Sequence, residues 1–361
     1  MTSDEQWMSR ALALAREADY RTSPNPMVGA VVLDRGGVVA GEGFHRRQGE
    51  QHAEQVALEN AGERARGGTI FTNLEPCTHE HRSPSCADAI IGAGIRRAVV
   101  AIGNDPDRRV AGAGVARLRG AGVEVAVGVL ESEALRLNEF YVWHRRTGRP
   151  FVSMKFAMTL DGKIATAAGE SRWITGEAAR RHGHRLRHMH DAILVGVNTV
   201  VADDPQLSAR DVGPDARQPI RVVLDSHLRT PPQARVLGET TLIASTRQGQ
   251  MPGAEVLTLP QDAGRVALEP LLDELGSRNV ISLLVEGGAQ THASFILKGL
   301  VNRVYAYIAP KLVGGRDAPG PVGGEGVARL ADALRLHDVE SVPLDDDFLI
   351  MGYLGDVHGN R

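Results

Sequence analysis

Between residues 52 and 86 the chain reads H-A-E-Q-V-A-L-E-N-A-G-E-R-A-R-G-G-T-I-F-T-N-L-E-P-C-T-H-E-H-R-S-P-S-C. One imidazole, two thiols and a spare carboxylate fall in this stretch, which is the ligand set of a catalytic zinc with three protein ligands and an open fourth position. His52, Cys77 and Cys86 are the expected ligands. The fold must therefore bring a helix start, a strand end and a second helix start to one point. Glu54 lies two residues after His52 in the first turn of a predicted helix, so it can sit beside the metal without binding it and move protons for an activated water. The H-x-E half matches the zinc-deaminase signature, whose second half is usually P-C-x-x-C. Here eight residues separate the thiols, an expanded variant. The alternative is a disulfide or two inert core cysteines. The chain has only these two cysteines and opens with no secretory signal, so an oxidising setting finds no support and the metal reading is preferred.

At 361 residues the chain exceeds a usual single domain, and two domains are expected. Net charge is -3, from 41 basic and 44 acidic residues, and aromatics make up 4%. That balance lacks the basic field and the stacking platforms of a nucleic-acid binder, so a small-molecule substrate is favoured. No apolar run approaches about 20 residues, so no membrane span is expected and the chain reads as a soluble, cytoplasmic protein. Oligomeric state stays open, a homo-oligomer included.

Taken in order, Ser3 with Gln6 forms a capping box, and apolar spacing from Trp7 to Ala15 predicts a helix over 4–18. Prolines 24 and 26 break the pattern. Residues 27–33 and 38–43 then read as a hairpin, with Asn25 and His45 at its flanks. After the His52 helix come a strand at 69–74, a helix at 86–93, a strand at 97–102, a helix at 115–121, a strand at 123–129 and a helix at 131–145. Strands alternating with short helices imply an α/β sheet covered on both faces, with ligands at the strand carboxyl ends.

The stretch H-R-R-T-G-R-P at 144–150 stops the helix and marks the boundary between domains 1–147 and 148–361. The second half opens with a strand and a D-G turn, F-V-S-M-K-F-A-M-T-L-D-G-K-I-A. Further strands are expected at 191–197, 220–225, 241–245, 255–259 and 280–286, and helices at 177–190, 266–275 and 290–300. No element is assigned past Leu300. Glu286-Gly287-Gly288 ends a buried strand and opens a helix, where glycines let phosphate approach backbone N–H groups. A bare turn is the commoner meaning of such a pair. No G-x-G-x-x-G is present, so a nicotinamide cofactor needs a site of another kind.

Several segments are more specific than their spacing. They are S-P-N-P-M-V-G-A at 23–30, G-F-H-R-R-Q-G-E-Q-H-A-E at 43–54, L-E-P-C-T-H at 74–79 and V-A-G-A-G at 110–114. In the second half they are K-F-A-M-T-L-D-G-K-I-A, G-E-S-R-W-I-T, A-D-D-P-Q-L and V-E-G-G. Over nearly its whole length the chain resembles the bifunctional riboflavin-biosynthesis proteins that join a pyrimidine deaminase to a reductase. The resemblance implies a cytidine-deaminase-like α/β domain that uses Zn2+, followed by a dihydrofolate-reductase-like α/β domain that uses NADPH. The implied substrate is a phosphorylated diaminopyrimidine ribosylamine, deaminated first and then reduced at its ribose to a ribityl chain.

By the same resemblance, Asn25, His45, His79 and Arg82 serve substrate in the deaminase, and Ser171, Arg187, Leu207, Arg210 and Glu286 serve it in the reductase. Met158, Trp173, Thr199, Asp203, Gly287 and Gly288 face NADPH. Lys155 is placed near the reacting carbon as a proton donor. A guanidinium fork at Arg187 or Arg210 suits a phosphate ester on chemical grounds alone. The chain departs from the usual pattern at His81, where glycine is common, and at Asp107, where asparagine is common.

Other readings compete at single residues. His182, His184, His188 and His190 could form a second metal site, but arginines 180, 181, 185 and 187 crowd the same segment and favour an exposed basic face. Trp173, taken alone, reads as core. A structural lysine at 155 would point to solvent, and Asp203-Asp204-Pro205 could simply end a helix. Two other functions also stand: a cytosine or adenine deaminase with an unrelated accessory domain, and a non-catalytic zinc protein. The second leaves Glu54 without a purpose.

Overall fold

Thr2, not Ser3, caps the first helix, α1 (Ser3–Arg16): its side chain accepts from Glu5 N, and the Glu5 carboxylate accepts from Thr2 N. The capping box thus sits one residue earlier than expected, because Glu5 brings a charge to the helix N-terminus that Gln6 cannot. The computed structural model describes residues 2–79, 84–108 and 110–357. Contacts divide it into two units, Met1–Thr147 and Gly148–Arg361.

The first unit continues with β1 (Gly29–Leu33), β2 (Val39–Phe44), α2 (Ala53–Ala61), β3 (Thr69–Leu74), α3 (Cys86–Gly92), β4 (Arg97–Ile102), α4 (Ala113–Gly120), β5 (Glu124–Val127), α5 (Glu131–Leu137) and α6 (Glu139–Thr147). Its sheet runs β2-β1-β3-β4-β5, with β1 antiparallel to both neighbours and β3, β4 and β5 parallel. The glycines set the layers. A Cβ on Gly29 would lie 2.1 Å from Ala11 O, and one on Gly43 would lie 2.7 Å from Ala53 O and Ala57 N. Gly29 pairs with Phe44, whereas Gly43 pairs with Ala30, so the two glycines face opposite sides of the sheet. Helices α1 and α2 therefore cover opposite faces, each lying backbone-close on its strand. The helix expected over 131–145 is two helices. Asn138 breaks it, because its side chain accepts from Met27 N and donates to Met27 O.

The second unit holds β6 (Phe151–Thr159), α7 (Glu177–Met189), β7 (Ala192–Gly196), α8 (Val197–Asp203), β8 (Ile220–Leu224), β9 (Thr241–Ser245), β10 (Glu255–Thr258), β11 (Gln261–Asp262), β12 (Arg265–Val266), α9 (Leu268–Ser277), β13 (Ser282–Gly287), α10 (Ala289–Leu297), β14 (Arg303–Ala309), β15 (His337–Leu344) and β16 (Asp347–Tyr353). Strand order is β10-β9-β8-β7-β13-β6-β14-β16-β15, parallel from β10 to β14 and antiparallel beyond. Beyond Leu300 the structure adds three strands for which the sequence reading had no element. On one face Met154, Val285, Leu271, Leu275 and Phe295 pack together, bringing α9 and α10 onto the sheet. On the other, Leu284, Tyr305, Tyr307, Leu186 and Val200 pack together, bringing α7 and α8. After β7 the chain runs outward to β10, then returns as β13 between β7 and β6. The carboxyl ends of β7 and β13 thus flank the point where strand order reverses, the usual crevice of an open parallel sheet.

Candidate active sites

In the first unit, β3 ends at Leu74 and delivers Pro76 and Cys77, while Cys86 opens α3 behind its cap Ser85. His52 is the N-cap residue of α2. Their donor atoms meet: His52 Nδ1 is 3.3 Å from Cys86 Sγ and 3.6 Å from Cys77 Sγ, and all three ligand atoms lie within 4.8 Å of one another. Zinc–sulfur and zinc–nitrogen bonds in a tetrahedron place such atoms about 3.6 Å apart, so the set fits zinc. It is the one such cluster among the described residues. Cys77 is held below the ordinary thiol range by a hydrogen bond from Cys86, aided by His52. Cys86, as donor and as a buried group, is pushed up. One sulfur is thus ready as thiolate.

Glu54 lies in the first turn of α2 and is 3% exposed. Burial raises its pKa, and it interacts with the Cys86 thiol. A carboxyl so placed is suited to take up and return a proton. His45 stands edge-on to His52 at 5.3 Å between ring centroids. Its Nδ1 contacts Gln51 O at 3.0 Å, and its buried Nε2 has no hydrogen-bond partner. Burial lowers its pKa, so a neutral ring offers a polar atom to a ligand. Asn25 is half-buried, with Thr22 Oγ1 donating to its carbonyl. His79 is exposed, and Arg82 lies outside the described residues. Asp107 is buried and has Arg145 Nε at 3.8 Å, so the charge it brings in place of asparagine has a cationic neighbour.

In the second unit, Lys155, Glu286 and Tyr307 share the α7 face of the sheet. Arg187 on α7 forms a two-pronged ion pair with Glu286, 2.8 Å at each nitrogen, and its Nη1 donates to Ser208 O. Lys155 Nζ is 3.8 Å from the same carboxylate. These two cations hold the Glu286 carboxyl down at about 2 against the upward push of burial. Lys155 does not point to solvent. Burial lowers its pKa and Glu286 partly restores it. The fork of Arg187 is spent on Glu286, whereas Arg210 is exposed and gives one nitrogen to Gln206 Oε1. Leu207 is buried at φ +54, and Ser171 is half-buried.

A cavity of about 660 Å³ opens at the carboxyl ends of β7 and β8, lined among others by Gly196, Thr199, Ser226, Arg229, Gly288 and Lys298. Gly288, at φ +81, caps the N-terminus of α10. Gly287 is pressed against Val195 and Thr199. Of the residues assigned to cofactor, the cavity brings together Thr199 and Gly288, and Met158, Trp173, Asp203 and Gly287 lie outside its lining. Ser226 and Arg229 had no signal in the sequence beyond a strand ending at Asp225, and Lys298 none beyond the helix expected over 290–300. Trp173 is not core: it is 64% exposed, and Arg180 stacks on its ring at 4.8 Å. Asp203 does end a helix, α8. The histidine cluster is not an exposed basic face either. His188 and His190 are each 1% exposed, with His190 Nε2 bound to Ser153 Oγ and His188 Nδ1 accepting from Arg217 N.

Residues 1–102 match the cytidine and deoxycytidylate deaminase zinc-binding region, and residues 150–350 match the RibD C-terminal domain. The riboflavin biosynthesis protein RibD of Actinobacillus pleuropneumoniae is 43% identical over 359 residues, covering 96% of this chain and 94% of that protein. The chain belongs to the RibD family. RibD of Escherichia coli K12 is 42% identical, over 91% of this chain and 94% of its own. Among solved structures, Acinetobacter baumannii RibD superposes with a TM-score of 0.90 at 36% identity, covering 98% of this chain and 99% of that one. A Thermotoga maritima deaminase/reductase gives 0.85 at 35%, with the same coverage. As a RibD-family protein, the chain is a bifunctional enzyme of riboflavin biosynthesis, with a zinc-binding deaminase domain followed by a reductase domain. No helix among the described residues is long and apolar enough to cross a membrane.

Proposed function

We propose that residues 1–147 hydrolyse the amino group from a diaminopyrimidinone carrying a phosphoribosylamino chain, and that residues 148–361 reduce the deaminated product at its ribose with NADPH. The Thermotoga maritima relative is described as a diaminohydroxyphosphoribosylaminopyrimidine deaminase/5-amino-6-(5-phosphoribosylamino)uracil reductase, which supports the substrate class. The observation that carries the deaminase reading is the convergence of His52, Cys77 and Cys86 with a buried Glu54 beside them and outside the cluster. Zinc held by the three ligands supplies Lewis acidity that makes water a nucleophile at neutral pH. Glu54 takes the proton of the attacking water and returns one to the departing amine, which leaves as ammonia. His45 Nε2 accepts a hydrogen bond from the pyrimidine ring, with Asn25, His79 and Arg82 holding the rest of the substrate.

In the reductase, Gly288, Thr199 and the N-terminus of α10 would hold NADPH, which when bound would supply the hydride for the ribose C1′ of the open-chain imine. Lys155 gives its proton to the imine nitrogen as the C=N electron pair moves there, so the product is a neutral secondary amine. Arg187 holds Glu286 in place beside substrate. Arg210, the guanidinium with donors to spare, reads the terminal phosphate. The family resemblance assigns Met158, Trp173 and Asp203 to the dinucleotide and Ser171 and Leu207 to the substrate. Incubating purified protein with the diaminopyrimidine, with and without NADPH, tests the scheme. Ammonia and the ribosylamino-uracil are expected without NADPH, and the ribityl compound with it. Turnover of NADPH with no ammonia release from the diaminopyrimidine would remove the first step.

A further inference from the structure

Helix α7 is stitched to the strands beneath it along one face, at positions 182, 187 and 190. Tyr307 OH and His182 Nδ1 share a hydrogen bond at 2.6 Å, Arg187 binds Glu286, and His190 Nε2 meets Ser153 Oγ at 2.8 Å. Burial lowers the His182 pKa, so its neutral ring can accept from the phenol. Between these contacts lies the Lys155 ammonium, 5.5 Å from the centroid of the Tyr307 ring. Gly183 leaves room above it, since a Cβ there would be 3.9 Å from Nζ. The register explains the approach. Tyr305 pairs directly with Lys155, so Tyr307, two residues on, is its diagonal neighbour on the same face.

We propose that Tyr307 and His182 are positioning residues of the reductase: the Tyr307 ring carries the Lys155 ammonium on its face, and His182 fixes that ring through its hydroxyl. The proposal rests on the reading of Lys155 as proton donor. Such a donor must be charged at working pH, and its surroundings press both ways. Burial and Arg187 oppose the charge, and Glu286 favours it. Glu286, however, is shared with Arg187, which lies a full ångström closer to it than Lys155 does. His292 on α10, the helix on the other face of the sheet, feels the Lys155 charge from there, and burial lowers its pKa. The remaining neighbours are Tyr305, in register with Lys155, and Tyr307. Burial raises the Tyr307 pKa and keeps the phenol protonated, so the ring acts as an uncharged π face, a cation-stabilising contact that Lys155 does not share with Arg187 among the described residues.

The test uses the full-length chain with saturating NADPH and deaminated substrate. Tyr307→Leu should move the alkaline limb of the reduction profile down by about half to one and a half pH units, the effect of losing one buried cation–π contact. Tyr307→Phe keeps the ring and should leave the limb in place while lowering kcat about fivefold. His182→Ala should match it, and the double variant should be no worse than either, since all three remove the same bond. An unmoved limb in a Tyr307→Leu protein that binds NADPH overturns the proposal. If Tyr307→Leu does not fold, additive losses in the Tyr307→Phe/His182→Ala pair overturn it instead. Lys155→Met separates the two levels: if it reduces substrate normally, the proton-donor reading itself fails, whatever the tyrosine variants do.

Discussion

Replacing Arg187 by methionine removes the two-pronged partner of Glu286 and leaves that carboxylate with Lys155 alone. Glu286 has 6% of its side chain exposed and Arg187 18%, so solvent screens the pair little. The Glu286 carboxyl falls from an ordinary 4.5 to about 2, a shift corresponding to roughly 3 kcal/mol of folded-state stabilisation. Breaking one partner of a buried pair costs about 3–5 kcal/mol in general, and the two figures agree. Because Lys155 remains, the lower end, about 3 kcal/mol, is expected. For a unit of this size each kcal/mol moves the midpoint by about 2–4 °C, so the reductase transition should fall by about 6–12 °C.

Calorimetry of the full-length chain can follow that transition as the one NADPH raises. The sign with pH follows from a depressed folded pKa. The stabilisation is present in full above the unfolded carboxyl value and is lost as pH falls through about 2, so the gap between wild type and variant should hold from pH 7 to about 5 and then close. Glu286→Gln added to Arg187→Met should recover part of the loss, since no buried charge then lacks its partner. A gap under about 1 kcal/mol at pH 7, or one of unchanged size at pH 3, would refute the reasoning.

Glu54→Gln should lower ammonia release by about 10²- to 10⁴-fold while bound zinc, measured by metal analysis, and NADPH-dependent reduction of supplied deaminated substrate stay near normal; loss of zinc would make Glu54 structural. Arg210→Ala should raise the reductase KM for phosphorylated substrate and lower kcat/KM by about 10- to 150-fold, the worth of one charge-assisted pair. Equal losses with dephosphorylated substrate would show that Arg210 does not read the phosphate. Residues 1–147 and 148–361, expressed separately, should each keep some of their own chemistry, and a folded C-terminal piece that fails to bind NADPH in a fluorescence titration would show a shared cofactor site.

Local patterns determined much of this protein. The strands Thr69–Leu74, Arg97–Ile102 and Thr241–Ser245 have the limits their apolar runs and flanking turns indicate, because β-branched runs and glycine punctuation act over a few residues. The His52, Cys77 and Cys86 cluster was legible for a similar reason: few residue types bind zinc, and each stands at or just beyond an element terminus that its neighbours specify. What is set across long sequence separations was not. Asn138 breaks a helix through bonds to Met27, 111 residues away, and no helical period records that. The 303–309 run has a strand composition, yet its place between β6 and β16 depends on register. The histidines of α7 read as a solvated face because period alone counts polar residues as outward. His182 and His190 turn inward because Tyr307 and Ser153, on two different strands, supply the partners that offset their burial, as Glu286 does for Arg187, and only the folded sheet brings those three side chains under one helix.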